Sequence, residues 1–203
     1  MLAQAVSPTI ALAAMTIEPR TSSGAGARAL AARLRQPVVL VGMMGVGKSS
    51  LGRRLAATLA LPFADADNEI EAAAQMSVSE IFERFGEPSF RDGERRVIAR
   101  LLEGAPRVIA TGGGAFVQPD TRAMILERGI AVWLDTDIAT LVDRVTRRDT
   151  RPLLRGGDPA EIVARLKAER ESAYALAPIK VMSENGPHGD TVRRIIEGLE
   201  QWL

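Results

Sequence analysis

The chain has 203 residues, of which 46% are hydrophobic and 25% are charged, a composition typical of a globular protein with a sizeable core. Lysine and arginine outnumber aspartate and glutamate by only 26 to 25, which argues against a protein whose partner is a nucleic acid. The chain has no cysteine, which excludes disulfides, thiolate metal sites and a cysteine nucleophile. This composition is compatible with a reducing cytoplasm, where we expect the protein to act.

The first 36 residues differ in composition from the remainder. They contain four arginines and one glutamate, whereas the rest of the chain has a small net negative charge. The apolar residues 1–14 have no basic residue before them, include Pro8 and are too short to span a bilayer, so we expect neither a secretory signal nor a membrane anchor. We interpret residues 1–36 as a disordered N-terminal tail without a catalytic role, with a short helix over residues 28–34, and residues 37–203 as the domain.

A glycine-rich loop follows the first apolar strand. Residues 42–50, GMMGVGKSS, fit the pattern G-x-x-x-x-G-K-[ST], and leucines at helical spacing predict a helix over residues 48–60. The glycines allow backbone N–H groups to surround phosphate oxygens, and the start of the helix contributes the positive end of its dipole. The segment therefore predicts a site for the phosphates of ATP, with the lysine at the β- and γ-phosphates and a serine hydroxyl on Mg²⁺: Gly45, Val46, Gly47, Lys48, Ser49 and Ser50.

Two acidic residues follow the next predicted strand, residues 62–64. Asp65 and Asp67 come at the strand end, and ligands bind at the carboxyl edge of an open α/β sheet. They could instead cap a helix over residues 68–74. Beside a phosphate loop, we favour metal and substrate roles.

A further helix is predicted over residues 78–85, and another opens at residues 90–94. Arg91 and Glu94 are three residues apart and share a face of that helix. They could form a surface ion pair of little consequence. Alternatively, Glu94 orients the Arg91 guanidinium for a substrate anion.

The strand at residues 107–111 ends in three glycines, Gly112 to Gly114, which suggest close approach of the backbone to a ligand. Later segments alternate between helix and strand: helix 119–128, strand 130–135, helix 138–148, a helix with Arg165, Arg170 and Tyr174, strand 179–182 and helix 191–203. This alternation predicts a parallel sheet covered on both faces. Residues 147–158 are basic and glycine-containing and predict a mobile lid, and His188, the only histidine, is interpreted as a solvated loop residue.

Taken together, the motifs resemble the shikimate kinase family. The resemblance runs from residue 37 to residue 203 and rests on GMMGVGKS at 42–49, FADAD at 63–67, FRDGE at 90–94, TGGG at 111–114, RPLL at 151–154 and the pair Arg170 and Tyr174. The chain departs from the family at Ser172-Ala173, where a proline is more usual. The resemblance implies a P-loop kinase fold with a five-stranded parallel sheet in the order 2-3-1-4-5 and a monomeric enzyme that binds neither nucleic acid nor membrane.

The resemblance also implies an activity and a set of site residues. The activity is transfer of the ATP γ-phosphoryl group to the 3-hydroxyl of shikimate, on the route to the aromatic amino acids, with Mg²⁺ as cofactor. Ser49 and Asp65 are expected at the metal, and Arg144 is expected against the adenine. The implied catalytic residues are Lys48, Asp67 and Arg151 in the lid, and the implied shikimate-binding residues are Asp67, Arg91, Gly113, Gly114 and Arg170.

Two alternatives remain compatible with the loop and the fold. One is a different small-molecule P-loop kinase, such as a gluconate kinase, and the set of Asp67, Arg91 and Arg170 argues against it. The other is a regulatory protein that binds nucleotide without chemistry. Loss of Lys48, Asp67 or Arg151 would be typical of such a protein, and all three residues are present.

Overall fold

The computed structural model describes residues 24–146, 158–183 and 187–203. Its helices and strands follow in chain order as α1 (Gly24–Arg33), β1 (Val38–Val41), α2 (Lys48–Leu59), β2 (Phe63–Asp65), α3 (Ala66–Ala74), α4 (Val78–Leu101), β3 (Val108–Ala110), a 3₁₀ turn (Ala115–Val117), α5 (Pro119–Arg128), β4 (Ile130–Asp135), α6 (Ile138–Thr146), α7 (Pro159–Tyr174), β5 (Ile179–Met182) and α8 (His188–Trp202). The predicted lid, apart from Asp158, lies outside the described residues.

The described strands form one parallel sheet in the order β2-β3-β1-β4-β5, which confirms the predicted topology. In the centre, Val38 of β1 is aligned with Val108 of β3 and with Ile130 of β4. All strands therefore end at the same edge, and the loops after β1, β2 and β3 meet there. This edge carries the phosphate loop, the two aspartates and the glycine triplet.

Helices cover both faces of the sheet, so the central strands have no exposed face. Every residue of β1, β3 and β4 is buried, which explains why these segments are continuous apolar runs rather than alternating ones. On the edge strand β5 the burial alternates, with Ile179 and Val181 inward and Lys180 and Met182 outward. Among the described residues, no helix has both the length and the apolar character that crossing a bilayer requires.

The N-terminal region differs from the prediction in residues 24–36. Helix α1 extends over Gly24–Arg33, longer than the predicted helix, and packs against α2 and α8. Its apolar face is buried: Ala27, Leu30 and Leu34 are each no more than 2% exposed. These residues contribute to the core of the domain, whereas the sequence placed them in the tail.

Segment α4 agrees with the prediction of two helices, over residues 78–85 and from residue 90. Its two helical parts meet at a break at Gly86, which has φ = 75° and ψ = 173°, and Pro88 follows it. A glycine with a positive φ and a proline two residues later interrupt the helical hydrogen bonds. The break turns the second part of α4 so that Phe90, Arg91 and Glu94 face the carboxyl edge of the sheet.

Candidate active site

The phosphate loop connects β1 to α2 in a conformation that only glycine adopts easily. Gly42, Gly45 and Gly47 have φ angles of 132°, 84° and 99°. At Gly42 a Cβ would also lie 2.3 Å from the carbonyl oxygen of Leu134, so the loop passes close to β4. Helix α2 begins directly after Gly47 with Lys48, Ser49 and Ser50 in its first turn, where N–H groups have no partner within the helix. The geometry is that of an anion site at a helix N-terminus.

Lys48 is buried, with 7% of its surface exposed, and its ammonium group lies inside the loop. Its Nζ donates to the carbonyl oxygens of Gly42 at 2.7 Å and of Met43 at 2.8 Å. A buried ammonium needs such partners because burial without them would be costly. The two contacts hold the positive charge at the centre of the loop, where a phosphate would gain most from it.

A cavity of about 910 Å³ opens beside the loop at the carboxyl edge of the sheet. It is large enough for a nucleotide and a small second substrate. Most of the predicted site residues line it together: Gly45, Gly47, Lys48, Ser49, Ser50, Asp67, Arg91, Gly113, Gly114, Arg144 and Arg170. Residues from six different segments therefore converge on one site.

Asp67 and Asp65 have different positions. Asp67 lines the cavity, and burial, together with the nearby Asp65 carboxylate, raises the pKa of Asp67 above its usual range despite the opposing effect of Lys48. Asp65 is the last residue of β2, and its Oδ1 accepts a hydrogen bond from the Asp67 backbone N–H at 3.2 Å, which caps α3. The sequence offered capping and ligand binding as alternatives for the pair, and the structure gives the capping interaction to Asp65 and the cavity position to Asp67.

Arg91 is held by two carboxylates on its own helix. Its Nη1 donates to Glu94 Oε2 at 2.6 Å, and its Nε and Nη2 donate to Glu87 Oε1 at 3.1 and 3.0 Å. Glu94 is 1% exposed and Arg91 14% exposed in their side chains, so this pair is far less screened than a surface pair. The expectation of an oriented guanidinium therefore agrees with the geometry.

The second oxygen of Glu94 has no hydrogen-bond partner within the described residues. A Cβ at Gly112 would lie 2.6 Å from this Oε1 and 2.9 Å from Asp67 Oδ1, so the two carboxylates approach each other across the glycine. Burial raises the pKa of Glu94, with Asp67 adding to the effect and Arg91 opposing it. The absence of a side chain at Gly112 thus leaves room for the carboxyl groups of Glu94 and Asp67.

The glycine triplet forms a turn between β3 and the 3₁₀ turn. Ala115 N–H donates to the Gly112 carbonyl oxygen at 3.2 Å, which places Gly113 and Gly114 at the centre of the turn. A Cβ at Gly113 would lie 3.0 Å from Met44 N, and one at Gly114 would lie 2.4 Å from Arg91 Nη2. The absence of side chains allows the turn to approach both the phosphate loop and Arg91.

Helix α7 brings Arg170 to the same turn. Arg170 Nη1 lies 3.4 Å from the Gly113 carbonyl oxygen, and Arg170 lines the same cavity as Arg91. Asp158 caps the start of α7 by accepting from Ala160 N–H at 3.0 Å, and Pro159 occupies the first turn. Two guanidinium groups from different helices therefore line one cavity, and such a pair suits the binding of a carboxylate.

Arg144 and Val46, both predicted at the nucleotide, have different positions relative to the cavity. Arg144 on α6 lines the cavity, and its Nη1 donates to the Val46 carbonyl oxygen at 3.3 Å. Val46, which was predicted at the nucleotide, is buried and does not line the cavity. Arg151, the predicted lid arginine, lies outside the described residues.

Sequence reasoning missed several residues that line the cavity. His188 was placed in a loop, but it is the first residue of α8 and reaches the cavity rim. Glu71 also lines the cavity while its Oε1 accepts from Val78 N–H at 2.9 Å, capping α4. For His188, a signal was present in Pro187 and Asp190, which are typical of a helix start. Glu71 gave no signal, because one more glutamate on a polar helix is unremarkable in sequence.

The side chains suit Mg²⁺ only as part of a larger set of ligands. The described residues contain no cluster of three or more His, Asp or Glu side chains around a common metal position. Mg²⁺ prefers oxygen ligands and retains waters, and in kinases it is bound through one or two protein oxygens and the phosphates of the nucleotide. The Ser49 hydroxyl lines the cavity and Asp67 faces it, so the donor chemistry fits an ion that is shared with a nucleotide.

The parallel sheet, the phosphate loop and the paired arginines define the class of P-loop small-molecule kinases. The model of the shikimate kinase family matches residues 44–200, most of the chain. The chain belongs to the shikimate kinase family.

Individual relatives agree with this assignment. A shikimate kinase of Novosphingobium aromaticivorans is 60% identical over 84% of this chain and 91% of that protein, and one of Caulobacter vibrioides is 57% identical over 81% and 82%. The solved structure of a shikimate kinase from Acinetobacter baumannii in complex with shikimate has a TM-score of 0.78 and 34% identity over 82% of this chain and 93% of that one. A gluconokinase from Sinorhizobium meliloti, 17% identical with a TM-score of 0.55, shares the fold alone.

Proposed function

We propose that this protein transfers the γ-phosphoryl group of ATP to the 3-hydroxyl of shikimate. Membership of the family implies ATP as co-substrate. The observation that carries the proposal is the arrangement of Asp67, Arg91 and Arg170 around the same cavity as Lys48 and Ser49. Shikimate has one carboxylate and several hydroxyls, which require guanidinium groups for the acid and a carboxylate for the hydroxyls.

On the donor side, the phosphate loop binds the triphosphate. We assign the N–H groups of Gly45, Val46, Gly47, Ser49 and Ser50 to its oxygens, and Lys48 to the β- and γ-phosphates. Lys48 exchanges its contacts with the Gly42 and Met43 carbonyls for contacts with phosphate oxygens. Arg144 lies against the adenine, and Arg151 reaches the phosphates from the lid. The Ser49 hydroxyl, with Asp65 acting through water, would hold Mg²⁺, which would supply positive charge that offsets the charge of the phosphates.

On the acceptor side, each residue type has a specific task. Arg91, fixed by Glu94 and Glu87, and Arg170 bind the shikimate carboxylate, with Gly113 and Gly114 providing backbone contacts. Asp67 accepts a hydrogen bond from the 3-hydroxyl of shikimate and orients the hydroxyl oxygen towards the γ-phosphorus. The raised pKa of Asp67 makes it a stronger proton acceptor than an ordinary aspartate when the hydroxyl proton leaves. The new bond joins the 3-hydroxyl oxygen of shikimate to the γ-phosphorus. The bond from this phosphorus to the β-γ bridging oxygen breaks, and ADP leaves with the electron pair of the broken bond.

The test measures ADP release by the purified full chain with Mg-ATP and one of four additions: shikimate, gluconate, a nucleoside monophosphate or no acceptor. We expect strong stimulation by shikimate alone. Lys48→Met serves as the control for the phosphate loop and should abolish the stimulation, because the charge at the transferred group is lost. Equal stimulation by gluconate, or none by shikimate, would contradict the proposal.

A further inference from the structure

Tyr174, at the end of α7, contacts both sides of the site without lining the cavity. The side chain is buried, with 1% of its surface exposed. Its hydroxyl donates a short hydrogen bond to the Gly113 carbonyl oxygen and lies 4.0 Å from Met43 Sδ in the phosphate loop. The ring stacks on Trp133 of β4, with centroids 6.0 Å apart and planes 27° apart. One hydroxyl therefore joins the acceptor turn to a ring that is fixed against the central sheet.

The carbonyl that Tyr174 contacts belongs to the central peptide of the turn, between Gly113 and Gly114, and this peptide can flip. Gly113 and Gly114 are the central residues of the turn closed by Ala115 N–H and the Gly112 carbonyl. Gly114 has φ = −96° and ψ = −13°, the values of a type I turn. A type II turn differs by a flip of the central peptide and needs a positive φ at the third position, which glycine adopts at no steric cost. The sequence of the turn therefore permits both forms.

The orientation of the Gly113–Gly114 peptide decides whether the turn presents an N–H group or a carbonyl oxygen to an acceptor. In a trans peptide the Gly113 carbonyl and the Gly114 N–H point in opposite directions. Because the carbonyl points at Tyr174, the N–H points away from the phenol, and Gly114 itself lines the cavity. Within the described residues, no backbone carbonyl accepts from this N–H. A flipped peptide would present a carbonyl oxygen there and would repel a carboxylate.

Arg170 cannot provide the same restraint during turnover. Its Nη1 reaches the Gly113 carbonyl at 3.4 Å, a long hydrogen bond, and the proposed function assigns its guanidinium to the substrate carboxylate. Tyr174 remains available because burial raises its pKa to about 12, so the hydroxyl keeps its proton at any pH at which the enzyme would work. Helix α7 continues through Ser172 and Ala173 without a break, so Arg170 and Tyr174, four residues apart, reach the turn from one face.

We propose that Tyr174 is a positioning residue for the phosphoryl acceptor: its hydroxyl fixes the central peptide of the Gly112–Ala115 turn so that the Gly114 N–H faces the acceptor's carboxylate. This inference rests on the proposed function, since it assumes an anionic acceptor at this turn. It assigns Tyr174 no contact with substrate.

Tyr174→Phe tests the inference because it removes the hydroxyl and keeps the ring stacked on Trp133. We expect the KM for shikimate to rise about tenfold, the effect of one buried hydrogen bond, while the KM for ATP stays within twofold. The amide resonance of Gly114 in a ¹⁵N–¹H spectrum should shift or broaden, which reports the peptide directly and needs no substrate. Trp133→Phe keeps the hydroxyl, and we expect it to lower the melting temperature with the KM for shikimate within twofold.

The outcomes separate this inference from the proposed function. Absence of shikimate-dependent turnover in the wild type refutes the proposed function, and with it the acceptor role of Tyr174, whatever the Gly114 resonance does. An active wild type with an unchanged KM for shikimate in Tyr174→Phe refutes the positioning role alone, as does an equal rise in both KM values. Should Tyr174→Phe fold poorly, 4-aminophenylalanine and 4-methylphenylalanine at position 174 give the same comparison. The amino variant retains a donor and is expected to have the lower KM.

Discussion

At the scale of single residues, the raised pKa of Asp67 supports its proposed role as a proton acceptor and lowers the stability of the folded protein at neutral pH. Its folded pKa lies above the ordinary value of 3.8, because burial and Asp65 disfavour the charged form. The unfolded chain therefore releases this proton at lower pH than the folded one. The stability that Asp67 contributes is complete below about pH 4 and is lost as the pH rises through its folded pKa.

Asp67→Asn should consequently have opposite effects on rate and stability. We expect kcat to fall by a factor of about 10² to 10⁴, the usual contribution of a positioned proton acceptor, with little change in ATP binding. At pH 7 the variant should melt at a higher temperature than the wild type, and the difference should disappear near pH 3. Calorimetry across this pH range and steady-state kinetics measure the two effects.

Glu71→Gln is the matched control, since Glu71 lines the same cavity and lies near enough to raise the pKa of Asp67. Glutamine retains the oxygen that accepts from Val78 N–H. We expect kcat within threefold of the wild type in this control. Equal losses of kcat in the two variants, or equal losses of kcat and ATP affinity in Asp67→Asn, would contradict the role of Asp67.

At the scale of elements, α7 is attached to the sheet at two levels. Near its middle, Lys167 Nζ contacts Asp135 Oδ1 at 2.6 Å and the Thr136 carbonyl oxygen at 2.5 Å, at the end of β4. At its end, Tyr174 contacts the Gly113 carbonyl. Arg170 lies between these attachments, so the helix places its guanidinium as a part of a rigid segment.

Lys167→Met should weaken the first attachment. Asp135 is only 10% exposed and would retain Lys180, at 3.1 Å, as its ion-pair partner. We expect the free energy of unfolding to fall by about 1–3 kcal/mol, less than for a fully buried pair because both lysines are partly exposed. We also expect a rise in the KM for shikimate, because Arg170 is one turn away. Urea unfolding followed by tryptophan fluorescence, with kinetics in parallel, measures both quantities.

Lys180→Met provides the comparison, since Lys180 is 41% exposed and contacts the same carboxylate. Its loss should affect stability less and leave the KM for shikimate within twofold, because Lys180 is on β5 rather than on α7. A larger effect of Lys180→Met than of Lys167→Met on the KM would refute the attachment of α7 by Lys167.

At the scale of the whole molecule, α1 extends the domain towards the N-terminus. It packs on α2, the helix that begins at the phosphate loop, and on α8. Burial of a leucine side chain contributes about 1.5–3 kcal/mol, and α1 and the residue after it bury Leu30 and Leu34. These contributions are large against the 5–15 kcal/mol of a typical domain. We therefore propose that the folded domain begins near residue 24 rather than at residue 37.

Two truncations separate these boundaries. Deletion of residues 1–23 should leave turnover and melting temperature close to those of the full chain. Deletion of residues 1–36 should lower the melting temperature by several degrees or more, because it exposes the apolar surface of α2 and α8 that α1 covers. Differential scanning calorimetry of both truncations measures the difference. Equal stability of the two would restore residue 37 as the boundary.

The sequence alone determined the class of the fold, a parallel sheet covered on both faces, and it predicted the phosphate loop. Continuous apolar strands separated by helices require a sheet covered on both faces, and a glycine-rich loop between strand and helix favours phosphate binding wherever it occurs. Both signals are local, since they depend on residue type and short spacing, and β4, β5 and α5 were therefore placed at their observed bounds.

Tertiary structure decided which side chains meet. The sequence could not show that Asp67 enters the cavity or that α1 contributes to the core, because both depend on neighbours distant in the chain. Tyr174 and Gly113 are 61 residues apart and meet only because α7 crosses the carboxyl edge of the sheet. Local patterns specify strands, helices and motifs, whereas hydrogen bonds and burial between remote segments exist only once the chain has folded.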